Sequence, residues 1–440
     1  MTIYQMAEAI RNGVLTSREL VSQYLSKIET NKHLNTVIEL NPDALTIAGD
    51  LDIAADKKGA LYGVPILVKD NINTGDRMHT SAGSVALAEN IAPEDAPIVR
   101  LLREAGAVIL GKTNMTEFAN YMTDGSMPNG YSSRGGQTLN LFDPESDPSG
   151  SSTGSAVAVA AGLCAAAIGT ETCGSIISPA QCAGIVGIKP TIGLVSSSGV
   201  IPISFTLDTP GPMVRCVEDA GLLLGVLARR EYSNRYGAEL SDIRIGICRM
   251  FTNDTDSEWL AANERLVGIM CGLGAECIEL PEHSIKVGKF MYHITKNEFK
   301  YGINTYLKTL CNPALPQNLR DIIEFNERHS EIALKYGQDN LVDAYKTTSG
   351  EMTETLYAEA LIMREDAIRD FNKLFNENRI DVFFMFAANS GLGAWTGFPS
   401  MTIPIGRTSK GLPIGSFFVA RRYGEDILLR VTREIESALR

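Results

Sequence analysis

The chain has 440 residues, 44% of them hydrophobic and 21% charged, which is typical of soluble globular proteins with a large buried core. Its formal net charge of −12 argues against non-specific binding to nucleic acid or to an anionic membrane surface. The longest apolar run, 156–168, is too short to span a bilayer. The N-terminus lacks the pattern of a signal peptide, and the eight cysteines form neither a C-x-x-C motif nor a zinc-ligand cluster. We therefore expect a cytoplasmic protein with reduced thiols.

The N-terminal residues 1–60 predict two helices. Thr16 and Glu19 have the spacing of a capping box, in which each side chain satisfies a backbone donor of the other residue. Apolar side chains then follow at helical spacing from Leu20 to Ile28.

From residue 61 onward, short strands alternate with helices. The β-branched run 63–68 ends at Lys69, and a second run follows at 107–110, after a helix predicted at 98–104. This alternation indicates an α/β fold with a largely buried sheet.

The segment 125–154 is rich in glycine, serine, proline and asparagine, which predicts a loop. Residues 155–167 then predict a helix of very small side chains. Such side chains permit a neighbouring backbone to approach closely, so we expect this helix to lie centrally in the fold.

The second half of the chain begins with a strand near 243–247 and continues with a mainly helical, more polar segment at 250–376. Strands at both ends of the chain with helices between them indicate one sheet with a peripheral helical insertion. We predict a single domain, 1–440, made of N-terminal helices (1–60), a core (61–245), the helical insertion (250–376), and returning strands with a C-terminal helix (377–440; strands at 381–385, 401–404 and 415–419, helix at 425–439).

One segment matches a nucleotide-binding motif in sequence but not in predicted structure. Gly106-Ala-Val-Ile-Leu-Gly-Lys-Thr113 fits the P-loop pattern G-x-x-x-x-G-K-[ST]. A phosphate cradle needs a loop at the four variable positions, and here they are strand-forming residues. We therefore reject a nucleotide site.

A second motif, Gly150-Ser-Ser-Thr-Gly154, fits the G-x-S-x-G nucleophile elbow centred on Ser152. That elbow follows directly on a strand, whereas the residues before this one contain two prolines and three acids. The chemistry also needs a histidine later in the chain, and those available lie in the polar helical segment, where solvated histidines are commoner (His283, His293 and His329; His33 and His79 precede the serines). We reject a Ser-His-Asp triad.

A third set of motifs, made of serines, glycines and a lysine, indicates a different kind of site. The stretch from Ser149 to Pro179 and the segment Gly63-Val-Pro-Ile-Leu-Val-Lys-Asp-Asn71 together strongly resemble the amidase signature family. Further matches occur in the same order as in the family (Gly111-Lys-Thr-Asn114, Gly187-Ile-Lys-Pro190, Asp208-Thr-Pro-Gly-Pro212 and Gly411-Leu-Pro-Ile-Gly415). The resemblance covers almost the whole chain. It implies an α/β fold with one large mixed β-sheet, helices on both faces and a peripheral helical insertion.

The resemblance also implies the catalytic residues. The family's lysine falls on Lys69, its bridging serine on Ser151, and its nucleophile on Ser175. The peptide bond before the bridging serine is cis in the family, which here is Gly150–Ser151. The backbone N–H groups of the nucleophile loop supply the oxyanion hole (Thr172, Cys173 and Gly174).

These residue types suit amide hydrolysis on chemical grounds as well. A serine hydroxyl needs a base to remove its proton, and a lysine serves if its amine is neutral. Lys69 ends an apolar strand, where desolvation would lower its pKa. Ser151 can both accept and donate a proton, so it can pass one between Ser175 and Lys69. Taken singly, a lysine after a strand is usually solvated, and serines in glycine-rich loops usually serve turns.

The nucleophile loop Glu171-Thr-Cys-Gly-Ser175 departs from the commonest family form, Asp-Thr-Gly-Gly-Ser. It looks like the bacterial peptide amidase branch, which removes the C-terminal amide of peptides, and several segments lean the same way (62–71, Glu117-Phe-Ala-Asn120, Arg134-Gly-Gly-Gln137 and Glu298-Phe-Lys300). That branch usually has aspartate at Cys173. The change either alters the substrate or introduces a redox-sensitive residue, or it has no functional effect, because the backbone N–H is the group that matters. We favour the absence of an effect.

By the same resemblance, the substrate pocket is formed by the region 120–131 and the segment before Pro399. Candidate substrate-binding residues there are Asn120, Tyr121, Met127 and Trp395. Such apolar and aromatic side chains suit a hydrophobic acyl group, and they are equally compatible with core positions.

We expect an amidase that acts on a peptide C-terminal amide or a hydrophobic or aryl amide. It should need no metal or organic cofactor, bind neither nucleic acid nor membrane, and be a monomer or homodimer. Two alternatives stay open: the glutaminase subunit of a tRNA-dependent amidotransferase, which Glu171 and Cys173 disfavour, and a non-catalytic binding module, which Lys69, Ser151 and Ser175 disfavour.

Overall fold

The computed structural model describes residues 1–232, 239–249, 256–281, 290–386 and 391–440. Across these ranges, eleven strands form one mixed sheet in the order β1-β3-β2-β6-β8-β7-β12-β15-β11-β9-β10. The strands are β1 (Val37–Leu40), β2 (Pro65–Lys69), β3 (Val108–Thr113), β6 (Ala166–Glu171), β7 (Val186–Lys189), β8 (Thr209–Val214), β9 (Arg244–Cys248), β10 (Glu276–Glu279), β11 (Val382–Met385), β12 (Ser400–Thr402) and β15 (Phe418–Ala420), with two separate pairs, β4 (Tyr131–Ser132) with β5 (Gly136–Gln137), and β13 (Pro404–Arg407) with β14 (Pro413–Gly415).

Helices pack on both faces of this sheet, so the predicted fold class is confirmed. Their bounds are α1 (Ile3–Arg11), α2 (Ser17–Thr30), α3 (Ala44–Ile53), α4 (Pro97–Glu104), α5 (Thr153–Ala160), α6 (Ile177–Ala183), α7 (Val217–Ala228), α8 (Ser257–Gly272), α9 (Phe290–Leu307), α10 (Leu319–Arg328), α11 (Ser330–Ala333), α12 (Asp339–Thr347), α13 (Thr355–Asn378), α14 (Gly391–Thr396) and α15 (Glu425–Leu439). Within the described ranges, no helix is both long and apolar enough to cross a membrane.

The centre of the sheet is built from β2 and its neighbours. β2 lies between β3 and β6 and runs parallel to both, and every residue of these three strands is buried. The apolar run 63–68 predicted such a strand, because strands that are buried on both faces are mostly apolar. Because β2 and β6 are parallel neighbours, their carboxyl ends lie side by side, which brings Lys69 next to Thr170.

The structure corrects one sequence prediction in this region. The helix predicted at 155–167 ends at Ala160, and Ala166 and Ala167 belong to β6 instead. Gly162 lies between the two elements with φ +67°, a left-handed conformation that breaks the helix and that glycine adopts at low cost. Alanine suits both a helix and this fully buried strand, so the sequence does not mark the boundary.

Two other predictions are confirmed. Thr16 and Glu19 form the capping box at the start of α2. The apparent P-loop residues from Val108 to Thr113 form strand β3 and no loop, so the match carries no phosphate site.

The segment predicted as a helical insertion holds α8 to α13, and residues 250–255 and 282–289 lie outside the described ranges. It also contributes β10, which pairs in parallel with β9.

The expected central position of the small-residue helix is explained by Gly154 in α5. A Cβ atom placed on this glycine would lie 2.4 Å from the backbone oxygens of both Asn114 and Thr36. Backbone atoms cannot move aside as a flexible side chain can, so only glycine fits here.

We predict that Gly154→Ala lowers the free energy of unfolding by about 2–3 kcal/mol because the added methyl group overpacks this contact. Gly268 in α8 is a matched control, since it is also helical but has nothing within 4 Å of its Cβ direction. Gly268→Ala should raise the free energy of unfolding by up to about 1 kcal/mol through helix propensity alone. Urea unfolding of both variants checks this, and equal effects would contradict it.

Candidate active site

The candidate site lies where β2 and β6 end. Lys69 is fully buried, and its Nζ donates to Ser151 Oγ at 2.8 Å, Ser152 Oγ at 2.9 Å and the Thr170 carbonyl oxygen at 3.2 Å. All three acceptors surround one amine that is cut off from water. Ser152 is thus part of the site, although the sequence presented it only as a false nucleophile elbow.

The environment of Lys69 favours its uncharged form. Burial lowers the pKa of Lys69 to about 7, while the carboxylates of Asp208 and Glu171 raise it in part and keep it from falling further. An unperturbed lysine has a pKa near 10.4 and would be almost fully charged at neutral pH. A large fraction of Lys69 is therefore a neutral amine under physiological conditions.

The two serine segments meet at the backbone. The peptide bond between Gly150 and Ser151 is cis, as the resemblance implies. The backbone N–H of Ser152 donates to the carbonyl oxygen of Ser175 at 3.2 Å, which holds the segment beside the nucleophile loop. Among the described contacts, no hydrogen bond joins the hydroxyl of Ser151 to that of Ser175. Lys69 and Ser151 thus form a direct pair, and Ser175, with 6% of its surface exposed, is joined to this segment through its backbone contact with Ser152.

Glu171 fixes the turn that follows Ser175. Its carboxylate accepts from the backbone N–H groups of Ile176 at 2.8 Å and Ile177 at 3.0 Å, at the start of α6. These two donors are therefore occupied.

The backbone N–H groups of Thr172, Cys173 and Gly174 donate to no acceptor in the part of the chain that the structure describes. Gly174 has φ +83°, a conformation that glycine adopts readily.

Cys173 belongs to the same loop as these donors. Its side chain is exposed to solvent, yet desolvation by the surrounding protein raises the pKa of its thiol to about 12, and Glu171 adds to the increase. The indole of Trp395 lies beside the thiol and partly offsets this increase in pKa. The structure thus brings Trp395, one of the predicted pocket residues, to the nucleophile loop.

The other predicted pocket residues are placed less favourably. Tyr121 is buried, and its ring packs against Phe299 with the centroids 4.4 Å apart, which favours a core position over the pocket. Met127 is also buried but lines a cavity of about 470 Å³ that extends to Pro148, close to Ser151 in sequence. Asn120 is exposed and has φ +71° at the end of a short 3₁₀ turn.

Comparison with known proteins decides the family. The amidase family model matches residues 19–392. The crystal structure of peptide amidase from Stenotrophomonas maltophilia is 34% identical, with a TM-score of 0.92 over 100% of this chain and 97% of that one. A probable amidase of Arabidopsis thaliana is 35% identical over 99% of this chain and 90% of that protein. One subunit of the glutamyl-tRNA(Gln) amidotransferase of Syntrophus aciditrophicus is 32% identical over 99% of this chain and 96% of its own length.

The chain belongs to the amidase family. It is a hydrolase of that family, and the resemblance read from its motifs is confirmed.

The histidines of this amidase agree with the rejection of a Ser-His-Asp triad. None of the four described histidines hydrogen-bonds to Ser151, Ser152 or Ser175, while His283 lies outside the described residues. His79 pairs through Nδ1 with the Glu39 carboxylate at 2.8 Å, and His329 stacks on Phe325. Within the described ranges, no group of three or more histidine, cysteine, aspartate or glutamate side chains is placed to hold a metal ion.

We predict that iodoacetamide labels Cys173 slowly at pH 8, although the side chain is exposed, and that the rate rises steadily to pH 10. Only the thiolate reacts, and raising its pKa to about 12 keeps the thiolate scarce. Peptide mapping by mass spectrometry gives the rate. Cys311, exposed on the loop after α9, provides the internal control in the same sample. A labelling rate at Cys173 that levels off below pH 9 would disagree with this.

Proposed function

We propose that this amidase hydrolyses carboxylic amides through an acyl-enzyme on Ser175, with Lys69 as the base acting through Ser151. The observation that carries the proposal is the fully buried amine of Lys69, hydrogen-bonded to Ser151 Oγ at 2.8 Å and with a pKa of about 7. Such an amine can take a proton at neutral pH, which an ordinary lysine cannot.

The three partners of Lys69 support a specific orientation of its amine. The Ser152 hydroxyl donates to the Thr170 carbonyl oxygen at 3.0 Å, so its own oxygen is left to accept from Lys69. The Thr170 oxygen can only accept. A neutral amine has two N–H groups, which these two acceptors occupy. In the charged form the third N–H donates to Ser151; in the neutral form the lone pair takes its place and can accept the Ser151 proton.

The proton route follows from this orientation. Ser151 gives its proton to Lys69 and takes the proton of Ser175, whose oxygen attacks the carbonyl carbon of the amide. The oxyanion that forms is met by the unoccupied N–H groups of Thr172, Cys173 and Gly174. When the C–N bond breaks, the proton returns through Ser151 to the leaving nitrogen. Water repeats the sequence on the acyl-enzyme and releases the acid.

For the substrate, we infer a peptide C-terminal amide or a hydrophobic or aryl amide. The likeness to the Stenotrophomonas peptide amidase over the whole chain supports the first. Trp395 beside Cys173 supplies apolar surface for the second. The amidotransferase subunits among the relatives keep glutamine as the competing substrate.

We predict that wild-type enzyme releases ammonia from peptide amides or aryl amides and that Ser175→Ala abolishes this while the fold persists. A panel of peptide amides, aryl amides, short aliphatic amides and glutamine, followed by ammonia release, tests both points. A fluorophosphonate should label wild type and leave Ser175→Ala unlabelled, with circular dichroism confirming that the variant is folded. Activity retained in Ser175→Ala would remove the nucleophile assignment. Hydrolysis of glutamine alone, stimulated by tRNA-charging partners, would favour the amidotransferase reading.

We predict that kcat/KM rises with pH through a transition at about pH 7. The neutral amine of Lys69 is the active form, so activity is low below this pKa and high above it. Lys69→Arg keeps a cation that does not lose its proton in this range, and it should be inactive at every pH tested. A flat wild-type profile from pH 5 to 9, or an active arginine variant, would exclude Lys69 as the base.

A further inference from the structure

The side chain of Thr172 is anchored from outside its own loop. Thr172 is the first residue after β6, and its hydroxyl donates to Asp208 Oδ1 at 2.5 Å. The other carboxylate oxygen of Asp208 accepts from the backbone N–H groups of Ile203 at 2.8 Å and Ser204 at 2.9 Å. Asp208 therefore joins the nucleophile loop to the turn that precedes β8.

A second carboxylate holds that turn from the opposite side. Glu298 on α9 is fully buried and accepts from the backbone N–H of Thr206 at 3.0 Å, from the Thr206 hydroxyl at 2.5 Å and from the Ser204 hydroxyl. Its fourth donor is the Tyr357 hydroxyl on α13, at 2.9 Å. α9 and α13 pack on each other in the helical segment.

Burying two carboxylates close together lowers the stability of the folded state, so their presence needs a functional explanation. Burial raises the pKa of Asp208 to about 6, and the charge of Glu298 adds to the increase. A site built only for stability would place apolar side chains here, because the interactions of buried charges seldom offset their desolvation. Among the described residues, every hydrogen bond that these two carboxylates accept comes from the 203–208 turn, Thr172 or Tyr357. The arrangement fixes a position at the expense of stability.

We propose that Asp208 and Glu298 are positioning residues that, through the Thr172 hydroxyl, hold the backbone N–H groups of the nucleophile loop at the oxyanion. This inference rests on the function proposed above. The path runs from Tyr357 to Glu298, through the 203–208 turn to Asp208, and from there to Thr172. It joins the helical segment to the reacting centre, and it gives a role to the Glu298-Phe-Lys300 motif that the sequence singled out.

The position of these donors matters because they act mainly in the transition state. Oxyanion donors stabilise the tetrahedral intermediate more than the bound amide, and misplacing a reacting group by about 1 Å can cost about 100-fold in rate. Loss of the anchor should therefore lower kcat and leave KM nearly unchanged. If these residues served stability alone, their loss would change the unfolding midpoint without lowering kcat selectively relative to KM.

The test compares Thr172→Val with Thr172→Ser. Valine keeps the shape of threonine but removes the hydroxyl, whereas serine keeps the hydroxyl. We expect Thr172→Val to lower kcat by about 10- to 100-fold with KM within about threefold of wild type, and Thr172→Ser to restore kcat to within about threefold. An unchanged kcat in Thr172→Val, or an equal loss in Thr172→Ser, would overturn the proposal.

The inhibition constant of a peptide aldehyde provides a readout that a purely structural role of Thr172 would leave unchanged. Its carbonyl carbon bonds to Ser175 Oγ, the hydroxyl proton passes through Ser151 to Lys69, and the aldehyde oxygen becomes the oxyanion. The inhibition constant should weaken in Thr172→Val by the same factor as kcat/KM. A constant equal to that of wild type would overturn the proposal.

A distant variant covers the case in which Thr172→Val does not fold. Tyr357→Phe removes one donor to Glu298, and in the described part of the chain the Tyr357 hydroxyl hydrogen-bonds to neither the nucleophile loop nor Asp208. It should lower kcat severalfold at unchanged KM, and an unchanged kcat would overturn the role of Glu298. Fluorophosphonate labelling that is lost in Ser175→Ala shows that the proposed function itself stands, so failure of the anchor and failure of the catalytic assignment are distinguishable.

Discussion

The hydrogen bonds of Lys69 at the carboxyl end of β2 tie together the parts of the chain that build the site. A buried amine must be surrounded by polar partners, because an unpaired one would cost several kcal/mol. Its three acceptors come from the segment that begins α5 and from the end of β6. Those elements can meet only if β2 and β6 are parallel neighbours and α5 lies close against the sheet, and Gly154 allows that approach at Asn114 and Thr36. The same burial that constrains the fold also lowers the pKa of Lys69, so packing and chemistry follow from one contact.

Around this contact, carboxylates fix the position of the neighbouring backbone, and the neutral polar groups carry protons in the mechanism proposed above. Glu171 occupies the N–H groups that follow Ser175, and Asp208 holds the hydroxyl of Thr172. In the described part of the chain, the N–H groups of the residues between these anchors are left without protein acceptors. A loop that is fixed at both ends and has N–H groups without acceptors between them suits the oxyanion site proposed for it.

Much of this could be predicted from the sequence because the relevant signals are local or occur in a fixed order. Lys69 ends an apolar strand, and Ser151 and Ser175 lie in glycine-rich motifs in the family order. Strand β3 could be separated from a P-loop because its variable positions are strand formers. The end of α5 could not be predicted, since alanine suits both the helix and β6. The contacts of Glu298 with Ser204 and Tyr357 join residues 94 and 59 positions apart, and such pairs leave no pattern in a single sequence. Ser152 was missed as a partner of Lys69 because its motif resembled a different kind of site.

The parallel pairing of β2 and β6 has a consequence for how the protein acquires its chemistry. Lys69 is 82 residues from Ser151 and 101 from Thr170, so the site consists of contacts that close only after long stretches of chain have come together. In an incompletely folded chain the amine is in water, has the pKa of an ordinary lysine and is charged. A nascent or misassembled polypeptide therefore has the serines without the neutral amine that the proposed mechanism needs. If hydrolysis follows the mechanism proposed above, it requires the completed sheet, so turnover reports native topology.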